Sequence, residues 1–189
     1  MENNKTNDKV IIALVGRICA GKGTMSDYLA EKYNAAVLSF SNPMREILRI
    51  LHQDVTRENL QKLSLAIRTG FGEDVFSKAV KGIAETQTEH IVVLDPIRRS
   101  ADIAAFPRKS IVMVAVTRDD EGRYQSMLSR NREKNDSAVT KEQFAVLDNA
   151  ETEIYINDLV AQADYVLENN GTIEELLAKT DNLLATILK

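Results

Sequence analysis

A three-layer α/β fold is what this sequence predicts: one five-stranded parallel sheet with helices on both faces. Three observations carry that reading. Short runs such as "VIIALV" (10–15) are β-branched and apolar at every position, the signature of a strand buried on both faces. Segments of helical period separate these runs, which implies right-handed crossovers and a parallel sheet. Finally, glycine is sparse, 8 residues in all, yet three of them fall within 16–23, directly after the first strand.

The elements follow in chain order. Residues 1–9, "MENNKTNDK", are polar and of mixed charge, and read as a flexible tail. Strands are expected at 10–15, "AAVLSF" (35–40), "HIVVLD" (90–95), "SIVMVAV" (110–116) and "ADYVL" (163–167). Helical patterns cover about 22–33, 43–52, 56–69, 72–88, 119–133, 140–162 and 172–187. The interval between the second and third strands is long and helical. It predicts a helical insertion, about 42–88, over the sheet edge, within a single domain spanning 1–189. In 140–162, Phe144, Leu147, Ile154, Ile156 and Leu159 recur at helical spacing and are expected to face the core, while Glu151 and Glu153 are expected to be solvated.

Composition excludes several classes. The net charge of −4 and pI near 5.3 argue against a nucleic-acid partner, and no apolar run approaches membrane-spanning length. The lone cysteine, Cys19, leaves no internal disulfide and fits a reducing, cytoplasmic setting. Either a monomer or a homodimer is compatible with these features. His52 and His90 form no ligand or triad pattern.

Chemistry concentrates in "GRICAGKGT" (16–24). Gly16, Gly21 and Lys22 have phosphate-loop spacing, with the hydroxyl one place late, at Thr24. After a buried strand and before a helix, backbone N–H groups can wrap a phosphate while the helix N-terminus adds partial positive charge. Lys22, expected to be exposed, supplies a mobile cation, and Thr24 in the first helical turn can reach a magnesium ion. Cys19 would be strained if the turn demands a positive φ there.

"GKGT" resembles the loop of adenylate kinase and related nucleoside monophosphate kinases, in which Gly follows the lysine and Thr comes next. The resemblance implies a P-loop kinase fold. It also implies ATP and Mg²⁺ bound through Gly16, Cys19, Ala20, Gly21, Lys22, Gly23 and Thr24, with a small nucleotide as phosphoryl acceptor. Cys19 stands where that family commonly has glycine. "VLSFSNPMREIL" (37–48) resembles the family's acceptor segment, placing Ser39, Ser41 and Arg45 at the acceptor. "LDPIRRS" (94–100) resembles its Leu-Asp-Gly-Phe-Pro-Arg stretch. There Asp95, at the carboxyl end of a strand, would organise the metal with Thr24, and Arg99, or Arg98 in its place, would hold the acceptor phosphate.

Phosphoryl transfer spreads negative charge over equatorial oxygens, so cations must converge on it. Arg123, Arg130 and Arg132, on a short lid at about 123–140, are the candidates. The tail "ADYVLENNGTIEELL" (163–177) resembles the last strand and helix of dephospho-coenzyme A kinase, which implies that Asn169, Asn170 and Gly171 border the adenine. Dephospho-coenzyme A is therefore an alternative acceptor. A non-catalytic ATP-binding regulator is the alternative from another class, since a fold does not dictate a function.

Overall fold

The computed structural model describes residues 9–129, 139–149 and 155–189. Among them, five strands form one wholly parallel sheet in the order β2-β3-β1-β4-β5. The strands are β1 (Val10–Val15), β2 (Ala36–Leu38), β3 (Ile91–Ile97), β4 (Ile111–Thr117) and β5 (Tyr165–Glu168). The helices are α1 (Lys22–Tyr33), α2 (Asn42–Ile50), α3 (Arg57–Phe71), α4 (Val75–Thr86), α5 (Asp120–Ser129), α6 (Lys141–Asp148), α7 (Ile156–Ala161) and α8 (Ile173–Ile187). No helix among the described residues is long and apolar enough to cross a membrane.

The central strands are apolar throughout because each buries both faces. Ala13 and Val15 point into a core shared with Phe40, Met44, Phe76, Val80, Ile156 and Leu159. Ile12 and Leu14 alternate to the other face, against Met25, Leu29, Leu176 and Leu184 of α1 and α8. Apart from Ala13, each such side chain contributes about 1.5–3 kcal/mol on burial. Helix starts are marked chemically. Thr56, Thr140 and Thr172 accept hydrogen bonds from the backbone N–H three residues on.

The differences from expectation have local causes. β2 is shorter than the run 35–40, because the chain turns at Ser39, whose carbonyl accepts from Asn42 N at 3.1 Å, and Phe40 swings into the core. β3 continues past Asp95 to Ile97, with a register shift against β1 between Ala13 and Val15. Pro96 has no N–H to donate there. The single helix expected over 140–162 is two: α6 ends at Asp148, and α7 starts at Ile156. Phe144, Ile156 and Leu159 are buried, as their spacing implies. Ile154, Glu151 and Glu153, most of the 1–9 tail, and Arg130 and Arg132 of the expected lid lie outside the described residues.

Candidate active site at the carboxyl edge of the sheet

The segment between β1 and α1 forms a tight loop whose backbone demands its residue types. Gly16 and Gly21 have φ of +149° and +113°. A Cβ at Gly16 would run into the Val116 carbonyl oxygen, and one at Gly21 into the Asn169 amide. Gly21 is the N-cap of α1 and brings no side-chain cap, so the first-turn amides are left for another acceptor. Cys19 takes φ +60°, a left-handed conformation costing a non-glycine residue about 1–2 kcal/mol. The strain tied to this position is therefore real.

Lys22 is not the exposed cation the sequence suggests. It is 9% exposed, and its ammonium donates to the carbonyls of Gly16 (2.6 Å) and Arg17 (2.9 Å). The loop curls over the lysine and presents carbonyls to it. Thr24 is half-buried in the first turn of α1. Two residues on, Ser26 is almost fully buried and donates to Asp95 Oδ2 at 2.8 Å. Asp95 is thereby tied to the helix that follows the loop. Sequence reasoning missed Ser26, although its place two residues after Thr24, beneath a strand-edge aspartate, was the available signal.

Arg123 does not stand on an open arm. Its side chain is 1% exposed. It donates to both carboxylate oxygens of Asp148 (Nη2 to Oδ2, 2.8 Å), to Asp120 (2.7 Å) and to the Ile18 carbonyl (3.4 Å). Burial alone would lower its pKa, but the bonds to Asp148 and Asp120 outweigh this and raise it. Asp148 mirrors it: burial pushes its carboxyl up, and the Arg123 bonds hold it below the usual range. Arg17 adds a second cation at 2.8 Å. Ile18 and Cys19 pack on Met127, Phe144 and Tyr124 in a small separate core. Arg123 is thus a strut between the loop and α6.

At the far side of the loop, Asn169 is buried and donates to the Ala20 carbonyl at 2.9 Å. Its neighbour Asn170 is exposed; it accepts from Asp119 N (3.0 Å) and donates to Glu168 (2.9 Å). Asn169, not Asn170, touches the loop.

The other candidates gather beyond β2 and β3. Ser39 and Ser41 share a hydroxyl contact at 3.0 Å, and Arg45, half-buried in the first turn of α2, reaches Ser41 at 3.5 Å. Arg98 and Arg99 follow β3 and are half-buried. Arg99 lies 3.9 Å from Glu73 and lines a cleft of about 360 Å³ with Ser100, Tyr155, Asp158 and Gln162. Arg68 and Asp102, absent from the sequence reading, meet beneath this turn at 3.1 Å. Among the described residues, no group of three or more His, Cys, Asp or Glu is arranged to hold a metal. A Mg²⁺ ion here fits only as one carried partly by phosphate and water, for which the Thr24 hydroxyl and the half-buried Asp95 carboxylate are suitable oxygen donors.

Sheet order, loop and edge carboxylate together define a three-layer α/β P-loop kinase fold. Shikimate kinase from Acinetobacter baumannii, solved with shikimate, superposes with a TM-score of 0.61 at 19% identity, covering 96% of this chain and 94% of that one. Shikimate kinase from Bacteroides thetaiotaomicron gives 0.60 at 17%, covering 93% and 98%. At such identities the likeness concerns the fold. The chain belongs to the UPF0200 family: it is 32% identical over 179 residues to the UPF0200 protein of Sulfurisphaera tokodaii, covering 94% of this chain and 97% of that protein. It is 29% identical over 185 residues to the UPF0200 protein of Thermococcus kodakarensis, covering 95% and 98%. No protein-family model matches the chain.

Proposed function

We propose that this chain is an ATP- and Mg²⁺-dependent phosphotransferase that passes the γ-phosphoryl group of ATP to a nucleoside monophosphate-like small molecule. One observation carries the reading. The phosphate loop, with its Ser26–Asp95 tie, shares the carboxyl edge of the sheet with a second set of cationic and hydroxyl groups, Arg45, Arg98, Arg99, Ser39 and Ser41. A protein that only senses ATP has no use for a second phosphate site.

The loop amides from Cys19 to Thr24 and the α1 N-terminus receive the donor phosphates. Lys22 exchanges two neutral carbonyl acceptors for phosphate oxygens, and charge-assisted bonds are the stronger of the two. Thr24 and Asp95 hold the metal's oxygen shell; Mg²⁺, when bound, neutralises charge on the transferring phosphates. Arg45 and Arg99 orient the acceptor so that its oxygen lies in line, and positioning supplies most of the rate in such reactions. Arg130 and Arg132 are the remaining candidates to cover the transferring group. The partners are small molecules only.

The test is ADP release from ATP-Mg²⁺ across ribo- and deoxynucleoside monophosphates, dephospho-coenzyme A and shikimate, with Lys22→Ala as control. Turnover with a nucleoside monophosphate is expected. Turnover with dephospho-coenzyme A or shikimate alone replaces the acceptor and keeps the reaction class. Tight ATP binding with silence throughout favours the regulatory alternative.

A further inference from the structure

A buried ion pair sits directly under the turn that carries Arg98 and Arg99. Asp102 is 4% exposed, at the end of a short 3₁₀ turn, Ser100–Ile103. One of its oxygens, Oδ2, accepts from the backbone N–H groups of both Arg98 (2.9 Å) and Arg99 (3.0 Å). The other, Oδ1, accepts from Arg68 Nη2 at 3.1 Å. Arg68, on α3, is itself only 10% exposed along its side chain. It donates to the Glu73 carbonyl at 2.6 Å and lies over the Phe76 ring at 5.1 Å. The turn after β3 is therefore clamped from the helical insertion, through a carboxylate whose two oxygens face different elements.

Stability alone is a poor reason for this arrangement. Desolvating a charge pair offsets most of its Coulomb gain, and an apolar pair of similar volume is often as stable. The nearby turn at Pro107–Ser110 closes with hydroxyl and backbone bonds to the Pro107 carbonyl. What a charged clamp adds is direction. With both amides held, the Cα–Cβ bonds of Arg98 and Arg99 leave the backbone at set angles, and the α3 strut sets where the turn lies relative to the insertion.

We propose that Asp102 and Arg68 are positioning residues that aim the Arg98–Arg99 turn as an anion receptor for the phosphoryl acceptor. The inference rests on the acceptor reading above. It adds that receptor geometry is transmitted from α3, so that the insertion and the β3 edge act as one site.

The test measures binding of inorganic phosphate by calorimetry, with the loop filled by Mg²⁺ and the non-hydrolysable imidodiphosphate analogue of ATP. Wild type is expected to take up one phosphate, and Arg99→Ala to weaken it at least tenfold. Asp102→Asn, which keeps one oxygen for the two backbone N–H groups but turns a donor NH2 towards Arg68, and Arg68→Gln should each weaken phosphate at least fivefold. Analogue affinity should stay within twofold throughout, a separation that a general loss of stability does not produce. If Arg99→Ala weakens phosphate while Asp102→Asn and Arg68→Gln match wild type, the positioning role is overturned and the acceptor reading stands. If wild type binds no phosphate, or Arg99→Ala binds it unchanged, the acceptor reading fails and this inference with it. Unfolding of both pair variants assigns Asp102 and Arg68 to stability and also overturns it.

Discussion

The loop side and the arginine side of the cleft are built on different terms. The loop is braced from three directions: Asn169 on the Ala20 carbonyl, Arg123 on the Ile18 carbonyl, and Ser26 between α1 and Asp95. Its glycines press on Val116 and Asn169 with no room for a Cβ. Across the cleft, Arg45 and Arg99 are half-buried and stand 3.5 Å from Ser41 and 3.9 Å from Glu73. The backbone of the turn that carries Arg99 is clamped through Asp102. A loop that wraps a phosphate with its amides must be rigid, whereas side chains that grip an acceptor need a firm base and partners they can exchange for it.

The largest test of that contrast removes the loop's brace. Asp148→Ala would leave Arg123 buried without its main counter-charge, at a cost of about 3–5 kcal/mol, read as a shift in the denaturation midpoint. The pH dependence has a definite sign. The folded Asp148 carboxyl lies below its ordinary range, so its contribution is complete above the ordinary value of about 3.9. It is lost as pH falls through the lower folded value. The stability difference between wild type and Asp148→Asn should therefore shrink below about pH 4.

Next in size, Lys22→Ala should lower kcat by about 10²–10³-fold, the loss typical of one preorganised donor. Because Lys22 is buried on two carbonyls, it should also cost about 1 kcal/mol of stability. An unchanged kcat would remove the lysine from the chemistry. On the arginine side, Arg45→Ala should raise the acceptor KM about 10-fold, or about 1.4 kcal/mol. The melting temperature should barely move, because Arg45 is a half-buried first-turn residue. A fall in melting temperature like that of Asp148→Ala would erase the contrast between the two sides.

The smallest effect is expected at Cys19. Cys19→Gly relieves a φ of +60°, worth about 1–2 kcal/mol. It also adds about 0.5–1 kcal/mol of chain entropy to lose on folding. A net gain of about 0–1.5 kcal/mol should follow. A loss would mean that the side chain's packing near Met127 and Phe144 outweighs the strain.

Much of this molecule was legible before any coordinates. The five strands stand near where the apolar runs place them, and β1, β3 and β4 read most plainly, because a strand buried on both faces has no polar positions to hide its pattern. The loop was legible because glycine at Gly16 and Gly21 answers to backbone angles, and backbone demands are written at the residue itself. Pro43 in the first turn of α2 placed Arg45 correctly for the same local reason. The charged residues misled wherever their partner was distant. Arg123 reads as a lid cation for the transferring phosphate until Asp148, 25 residues away, is brought beneath it. Lys22 reads as exposed until the loop folds over its ammonium.

Asp102 and Arg68 carried no signal, because 34 residues separate them and neither belongs to a motif. By itself, the sequence determined the sheet, its crossovers and the phosphate loop, since periodicity and φ preference act over a few residues. Tertiary structure alone decided which charges are struts and which face the cleft. Burial and ion pairing depend on what lies across space, and chain order does not encode that locally.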